Sequence, residues 1–393
     1  MSPRIHAVQW RDDGLLAFKL AGGAVFADDA PARVNEMLKG FAVVEYRPWH
    51  RRVLYQFDDG YGFTSELGTA GRPAPIGQRP VVYLDQNQWS MISKTLFAPQ
   101  RVKDPAERAA AVQLLRMAEA GKVILPLSAG HMSETVAWSH DGGRRELART
   151  LLEGSRGWQM RDPLDVRSHE FQAMLAASAG LTPPWPKEVF TLEPYAALGS
   201  RLLDDSDPDL PAETPDSWIY GYLSVRSTNV IVSSLLTRTP IPQGNLDGWV
   251  ERVQNFGTWL NAQTDRTKQQ RRRSAQAFAA ADVGNELVRA AIKRGVTAAQ
   301  MGDWYRSSWD KATLGAPAIT MFRAAMIDKF LACGKWESND LTDLMYLCTA
   351  AGYADYVVGE RRTVALLRQA VAKLGARVSL HTKLATVVES LES

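Results

Sequence analysis

A short apolar run that ends in a single carboxylate constrains the fold of this chain more than any other feature. Residues 81–84 read Val-Val-Tyr-Leu, and Asp85 follows them directly. A β-branched and aromatic run before a polar, helix-like segment predicts a buried strand. In an open α/β sheet, functional groups gather beyond the carboxyl ends of the strands. Asp85 is therefore a candidate site residue, although an Asx-turn or a helix N-cap explains a strand-end acid equally well.

The residues after Asp85 predict an α/β unit. Apolar residues at helical spacing predict a helix over 105–121, and the run over 122–127 predicts a second buried strand. Strand, helix and strand in this order form a βαβ unit, whose strands are parallel. Ser128 is then placed to cap a helix that carries Glu134.

The same pattern returns near the end of the chain. A helix is predicted over 339–351, a strand over 353–359, a helix over 363–374 and a strand over 377–380, before a terminal helix. The chain thus leaves an α/β layer near residue 140 and re-enters it near residue 339, as expected for a domain interrupted by a large helical insertion.

Four segments follow from these patterns. Short strand-like runs separated by Asp-Gly and Gly-Gly turns predict a β-rich N-terminal unit with one short helix over 31–39. An acidic, Pro-rich loop is expected at 203–216 within the helical region. The predicted organisation is a small β-rich domain at 1–67, a Gly- and Pro-rich linker at 68–80, an α/β domain at 81–140 and 338–393, and a helical insertion at 141–337.

Composition narrows the class of protein. The 393 residues carry 46 basic and 43 acidic side chains, a net charge of +3 that is too balanced to indicate nucleic-acid binding by itself. The two cysteines, Cys333 and Cys348, are too few for a disulfide scaffold or a four-cysteine zinc site. The N-terminus lacks the apolar core of a signal peptide, and no apolar run approaches the roughly 18 residues of a membrane helix. We therefore expect a cytoplasmic protein that does not interact with membranes.

Three further acids share the features of Asp85. Glu134 lies on the helix after the second predicted strand, Asp343 opens a later helix, and Glu360 follows the apolar run Tyr356-Val357-Val358-Gly359. Helix dipoles alone can explain acids such as Glu134 and Asp343, and Asp340 is best interpreted as a cap. However, parallel strands end at one edge of the sheet, and the helices that follow them start there, so Asp85, Glu134, Asp343 and Glu360 are expected to converge.

Such a cluster needs positive charge. Two bare carboxylates about 4 Å apart repel by something like 4 kcal/mol at a surface-like dielectric. Mg²⁺ and Mn²⁺ take carboxylate ligands while keeping several waters, and a site of this kind can support phosphodiester hydrolysis. The sequence therefore predicts a Mg or Mn site.

The chain here resembles the PIN-domain nucleases. Tyr83-Leu84-Asp85-Gln86-Asn87-Gln88-Trp89 is similar to the first motif of that family, Glu134 to its second acid, and Asp343 before a run of small and apolar residues to its third. Glu360 stands where the family usually has Asp after Thr and one further residue, and the interval between the second and third acids is much longer than usual. The resemblance covers about 81–140 and 338–385, roughly a third of the chain.

The resemblance implies both a fold and an activity. The fold would be a three-layer α/β/α arrangement with a parallel sheet, and the activity metal-dependent cleavage of phosphodiester bonds, most often in RNA. Asp85 and Asp343 would be direct metal ligands, Glu134 a ligand or a group that orients water, and Glu360 an outer or second-metal ligand.

Other residues are weaker candidates for substrate binding. Asn87 could bond a phosphate or a carboxylate, and Arg361 and Arg362 could contact the substrate backbone, although turn and solvent roles explain them as well. A basic run over 266–273 could follow a phosphate backbone, but such runs usually form a solvated face.

Two alternatives remain open. His131-x-x-Glu134 suggests a zinc hydrolase, but the inverted zincin motif requires His directly after Glu, and Thr135 stands there. The stronger alternative is a catalytically inactive scaffold that binds nucleic acid or protein. In either case the N-terminal domain or the helical insertion could mediate homo-oligomerisation or bind a regulatory partner.

Overall fold

The computed structural model describes residues 5–68, 76–184, 187–199, 216–238, 247–337 and 339–393. Much of the predicted linker at 68–80 and nearly all of the predicted acidic loop at 203–216 lie outside the described residues. No described helix is long and apolar enough to cross a membrane.

The structure is a mixed α/β fold with two principal sheets. The strands are β1 Ile5–Arg11, β2 Leu15–Leu20, β3 Val25–Asp29, β4 Val43–Arg47, β5 Arg52–Gln56, β6 Gly62–Glu66, β7 Val82–Leu84, β8 Gln159–Met160, β9 Phe190–Thr191, β10 Tyr356–Val358 and β11 Ser379–His381. The helices are α1 Ala32–Met37, α2 Gln86–Phe97, α3 Pro105–Glu119, α4 Ala129–Ala137, α5 Asp141–Ser155, α6 Pro163–Ser178, α7 Asp216–Thr237, α8 Asp247–Ala262, α9 Lys268–Asp282, α10 Gly284–Arg294, α11 Ala298–Ala312, α12 Pro317–Leu331, α13 Asp340–Tyr353, α14 Arg361–Leu374 and α15 Leu384–Glu392.

The chain divides into two compact units. The first contains Met1–Arg79, Trp89–Met160 and Phe190–Ile241, and the second contains Pro80–Gln88, Arg161–Val189 and Pro242–Ser393. Each unit is therefore assembled from three separate stretches of sequence. The predicted domain limits group the residues differently and stay a prediction.

The N-terminal sheet of the first unit is antiparallel. Its strand order is β3-β2-β1-β4-β5-β6, and successive hairpins connect most of its neighbours. Gly60 in the turn between β5 and β6 has φ +80°, a left-handed conformation that glycine adopts without strain. One face of the sheet packs an aromatic cluster in which Tyr55 stacks on Phe63 and tilts against Phe41. The β-rich N-terminal prediction is confirmed, with β6 as an additional strand.

One predicted strand of the first unit is wrong. Residues 122–127 form no strand and contain only isolated bridge residues at Ile124 and at Leu127, which bridges Gln159. The run is nevertheless buried, with Val123, Ile124 and Leu125 each at most 3% exposed. The apolar residues of this run fill the core. Sequence periodicity cannot distinguish a buried irregular segment from a buried strand.

The helix after this run begins where the sequence predicts. The Ser128 side chain accepts a hydrogen bond from the backbone N–H of His131, and His131 Nδ1 accepts one from the backbone N–H of Ser128. This reciprocal capping box begins α4 and gives the His131 side chain a structural role.

The second unit contains a small parallel sheet. Its order is β11-β10-β7, with Leu84 opposite Val358 and Val358 opposite His381. Strand β7 is fully buried, and the neighbouring α13 buries nine of its residues, as expected of elements in the interior of an α/β layer. Helix α12 packs against both α13 and α14. The two cysteines are free thiols, with Cys348 buried and Cys333 exposed.

Candidate active site

The carboxyl ends of β7 and β10 place Asp85 beside Glu360. The backbone N–H of Asp85 donates to the carbonyl of Val358 at 2.8 Å, which carries the strand pairing one residue past β7. Asp85 Oδ2 lies 3.8 Å from the position that a Cβ on Gly359 would take. Two residues that are 275 positions apart in sequence therefore meet at one edge of the sheet because their strands are adjacent and parallel.

Backbone N–H groups hold the Asp85 carboxylate in place. The N–H of Gln86 donates to Asp85 Oδ1 at 2.9 Å, and the N–H of Glu360 also donates to this carboxylate. Burial raises the pKa of Asp85 above its usual range, and the negative charge of Glu360 adds to the increase, while the two N–H donors oppose it. Asp85 is thus a fixed, partly buried acid.

Asp343 has the most perturbed carboxyl group of the cluster. It lies in the first turn of α13, where its N–H donates to the carbonyl of Asn339 at 2.9 Å. Burial and then the charges of Asp85, Asp340 and Glu360 raise its pKa to about 7, and Lys329 opposes this increase. Asp343 and Glu360 line the same cavity, and Asp85 lies beside Gly359 at the edge of the sheet, so the three acids belong to one group of like charges.

Lys329 on α12 supplies a positive charge that the sequence did not reveal. Its Nζ lies 2.6 Å from Asp340 Oδ1, and it also lies over the ring of Trp336 at 4.9 Å. The side chains of Lys329 and Asp340 are only 12% and 18% exposed, so this ion pair is largely shielded from solvent. Two charged residues in succession, Asp328 and Lys329, interrupt the apolar run of α12, but this pattern does not indicate which partner each of them has.

Asp340 does not act as a conventional helix cap. The N-cap position of α13 belongs to Asn339, which makes no side-chain capping bond. Asp340 Oδ2 instead accepts a hydrogen bond from the N–H of Glu337 at 2.6 Å and so fixes the turn before the helix.

Asn87 and Glu360 form a second contact across the sheet edge. Asn87 Nδ2 donates to Glu360 Oε1 at 2.5 Å, and both side chains are exposed. Asn87 thus bonds a carboxylate, one of the two roles predicted for it. Because one carboxylate oxygen of Glu360 is held by this amide, the orientation of the side chain is restrained.

A cavity of about 410 Å³ opens beside these acids. Asp343 and Glu360 line it, together with Lys329, Asp340, Arg362 and residues from the turn between α12 and α13. Arg362 Nη2 also lies 3.7 Å from the Cβ position of Gly334 in that turn. Arg361, the other predicted substrate contact, is exposed at the start of α14.

The remaining predicted acid lies in the other unit. Glu134 is an exposed residue of α4 in the first unit, whereas Asp85, Asp343 and Glu360 belong to the second. The participation of Glu134 in the site stays a prediction. Asp355, at the opposite end of β10 from Glu360, accepts a hydrogen bond from the N–H of Val81 at 2.8 Å and so has a structural role.

The carboxylates of this site can be tested against the ligands that a divalent cation requires. Among the described residues, no three His, Cys, Asp or Glu side chains are grouped so as to hold a metal ion by themselves. Mg²⁺, however, is commonly held by one or two carboxylates while several waters complete its shell. The mutual repulsion that raises the pKa of Asp343 is also the repulsion that a cation would relieve. Asp85 and Asp343 therefore fit a hydrated Mg²⁺ or Mn²⁺ in their chemistry.

Comparisons with models of protein families, with curated proteins and with solved structures found no match to this chain.

Proposed function

We propose that this protein is a metal-dependent nuclease that hydrolyses phosphodiester bonds in RNA. One observation carries the proposal: Asp343 and Glu360 line one cavity together with cationic side chains, and Asp85 lies beside Glu360 at the carboxyl edge of the parallel sheet. Acids that repel one another in a partly buried site cost stability, so a role that uses their charge explains their placement better than a structural role does.

The chain's own residues would prepare the site in three ways. Asp85 is aimed by the N–H groups of Gln86 and Glu360, and Asp343 is presented by the first turn of α13. Asn87 restrains Glu360 from the side. Each acid would therefore reach the reaction with little reorganisation, which is the main requirement for electrostatic catalysis.

A bound metal ion and cationic side chains would both contribute to binding the phosphate. A bound Mg²⁺ or Mn²⁺, held by Asp85 and Asp343, would supply positive charge to the phosphate on which negative charge develops. Lys329 neutralises Asp340 and so limits the negative charge that an incoming phosphate meets. Arg362, at the cavity wall, would bind a phosphate oxygen next to the scissile bond.

The PIN-domain resemblance extends the proposal. It supplies RNA as the substrate, a three-layer arrangement around the sheet, a role for Glu134 as ligand or water-orienting group, and an outer position for Glu360. These features belong to the proposal together with the metal.

The test is cleavage by the purified full-length chain. Labelled single-stranded RNA, double-stranded RNA and DNA would be incubated with Mg²⁺, with Mn²⁺ and with EDTA. We expect cleavage of RNA that EDTA abolishes. The rate of cleavage should fall by at least about 100-fold in Asp85→Asn and in Asp343→Asn, because each substitution removes the charge of a ligand and keeps the shape of the side chain. Glu251→Gln, which removes an exposed acid on α8, is the matched control and should retain full activity.

Two outcomes would contradict the proposal. Cleavage that survives in both Asp85→Asn and Asp343→Asn would show that the reaction takes place elsewhere. Absence of cleavage of any RNA or DNA by a folded protein with either metal would favour the inactive, nucleic-acid-binding scaffold.

A further inference from the structure

The basic N-terminal end of α9 contacts Cys333, whose two sequence neighbours line the site cavity. Ala332 and Gly334 line the cavity, and Cys333 between them turns outward in a left-handed conformation with φ +56°. Arg271 of α9 reaches this turn, with its Nη2 3.0 Å from Cys333 Sγ. The basic run over 266–273, which the site described above does not use, therefore adjoins that site.

Part of this basic run is held rigidly. Arg271 also donates to Asn261 Oδ1 at 3.2 Å, and Arg266 donates to the Ser274 hydroxyl at 2.7 Å. Thr267 and Gln270 form a reciprocal capping box that fixes the first turn of α9. The charges therefore have defined positions on the surface.

Other charges of the run have no partner within the part of the chain that the structure describes. Lys268 and Arg272 are exposed and make no hydrogen bond or ion pair with a described residue. They are four positions apart, an i,i+4 spacing, so they lie on the same side of α9. Repulsion between two such cations is unfavourable, and a polyanion lying along the helix would relieve it.

An exposed aromatic ring accompanies these charges. Trp259 on α8 leaves 41% of its surface exposed, and the guanidinium of Arg266 lies over its ring at 4.8 Å. Single-stranded nucleic acids bind to surfaces that combine cations for the backbone with aromatic rings or guanidinium planes on which unpaired bases stack. The bases of a duplex are stacked on one another and are not available to stack on such a ring.

We infer that single-stranded RNA runs from the cavity past the Cys333 turn onto a surface formed by Trp259, Arg266, Lys268, Arg271 and Arg272, here termed the α9 surface. This inference rests on the proposed nuclease function, because it takes the cavity as the place where the strand is cut. The cations of the α9 surface bind phosphates and Trp259 stacks on a base. The surface favours single strands without regard to sequence, since every base has a stacking face.

The test is binding of a fluorescein-labelled 12-nucleotide oligouridylate to the full-length chain by fluorescence anisotropy. EDTA is present throughout to prevent cleavage, and Kd is measured over a series of salt concentrations. The double variant Lys268→Gln/Arg272→Gln should raise Kd by about tenfold and reduce the slope of log Kd against log salt by about 1.4, which is about 0.7 for each phosphate that is no longer neutralised.

A matched control tests whether only net charge matters. Arg289→Gln/Lys293→Gln removes the same two charges at the same spacing from an exposed side of α10. It should bind as the wild type does. Trp259→Leu should raise Kd by about 5- to 100-fold with little change in the salt slope, because stacking releases no counterions. Thermal unfolding of each variant would confirm that it is folded.

The two proposals fail in different ways. If the α9 double variant has the Kd and salt slope of its α10 control, or if a duplex binds more tightly than the single strand, the α9 surface is wrong even when cleavage depends on Asp343. If the α9 variants weaken binding as expected but no metal supports cleavage, the surface stands and the nuclease function is wrong.

Discussion

At the residue scale, Asp343 combines burial with three neighbouring negative charges, and its pKa of about 7 makes stability depend on pH. The unfolded chain ionises this carboxyl near pH 3.8, whereas the folded chain keeps its proton until about pH 7. Between these values the folded state binds more protons, so stability falls as pH rises. The destabilising contribution is complete above about pH 7 and is absent below about pH 3.8.

Replacing the carboxyl with an amide should remove this dependence. We expect Asp343→Asn to be more stable than the wild type by about 1 to 3 kcal/mol at pH 8 in EDTA, with an advantage that disappears towards pH 4. Urea unfolding between pH 4 and pH 9 would measure it, with Glu251→Gln as the control for removal of one exposed charge. An advantage that is equal at both ends of the pH range would show that packing, and not the charge of Asp343, is responsible.

At the scale of elements, Glu170 joins three helices. This residue of α6 is 6% exposed; its Oε1 accepts hydrogen bonds from the N–H of Ala318 at 2.8 Å and from the Tyr353 hydroxyl at 2.6 Å. Its Oε2 accepts one from the N–H of Ile319 at 2.9 Å. A carboxylate from α6 therefore satisfies two buried N–H groups in the first turn of α12, which have no partner within their own helix, and a side chain at the end of α13.

Loss of Glu170 should be costly because it leaves two buried N–H groups and the partly buried Tyr353 hydroxyl without an acceptor. We expect Glu170→Ala to lower the free energy of unfolding by about 2 to 4 kcal/mol, and Tyr353→Phe, which removes one donor, by about 1 kcal/mol. Denaturant unfolding would compare the two variants. A Glu170→Ala variant that is no less stable than Tyr353→Phe would mean that water replaces the carboxylate without loss.

The elements also show how far sequence reasoning reaches. Helices with clear start signals and periodicity, such as α3 and α4, begin where the sequence predicts them to begin. The buried run at 122–127 is wrongly predicted as a strand because apolar content reports burial and not strand pairing. The proximity of Asp85 and Glu360 follows from strand order alone, whereas Lys329 reaches the site through helix packing, which no short pattern encodes.

At the scale of the whole molecule, the second unit depends on three distant stretches of chain. Strand β7 comes from Pro80–Gln88, α6 from Arg161–Val189, and the rest from Pro242–Ser393. Contacts between such distant residues require chain closure before they form, which slows folding. The C-terminal stretch alone lacks both the strand that pairs with β10 and the helix that carries Glu170.

We therefore expect a fragment of residues 242–393 to show no cooperative unfolding transition. Loss of β7 exposes the edge of β10, and loss of α6 removes the partner of α10 and α12. Circular dichroism during urea titration would measure this, with the full-length chain as the reference. A cooperative transition at the midpoint of the full-length protein would show that residues 242–393 fold independently.

The position of Lys329 limits how this protein can be re-engineered. The residue lies within the stretch that the sequence predicts to be a helical insertion, 141–337, yet its ammonium group balances Asp340 at the cavity. A minimal version made by excising 141–337 and closing the gap would keep Asp85, Asp343 and Glu360 but discard the lysine whose charge opposes the raised pKa of Asp343. Any transplant of this site into another scaffold would need to bring a cation with the acids.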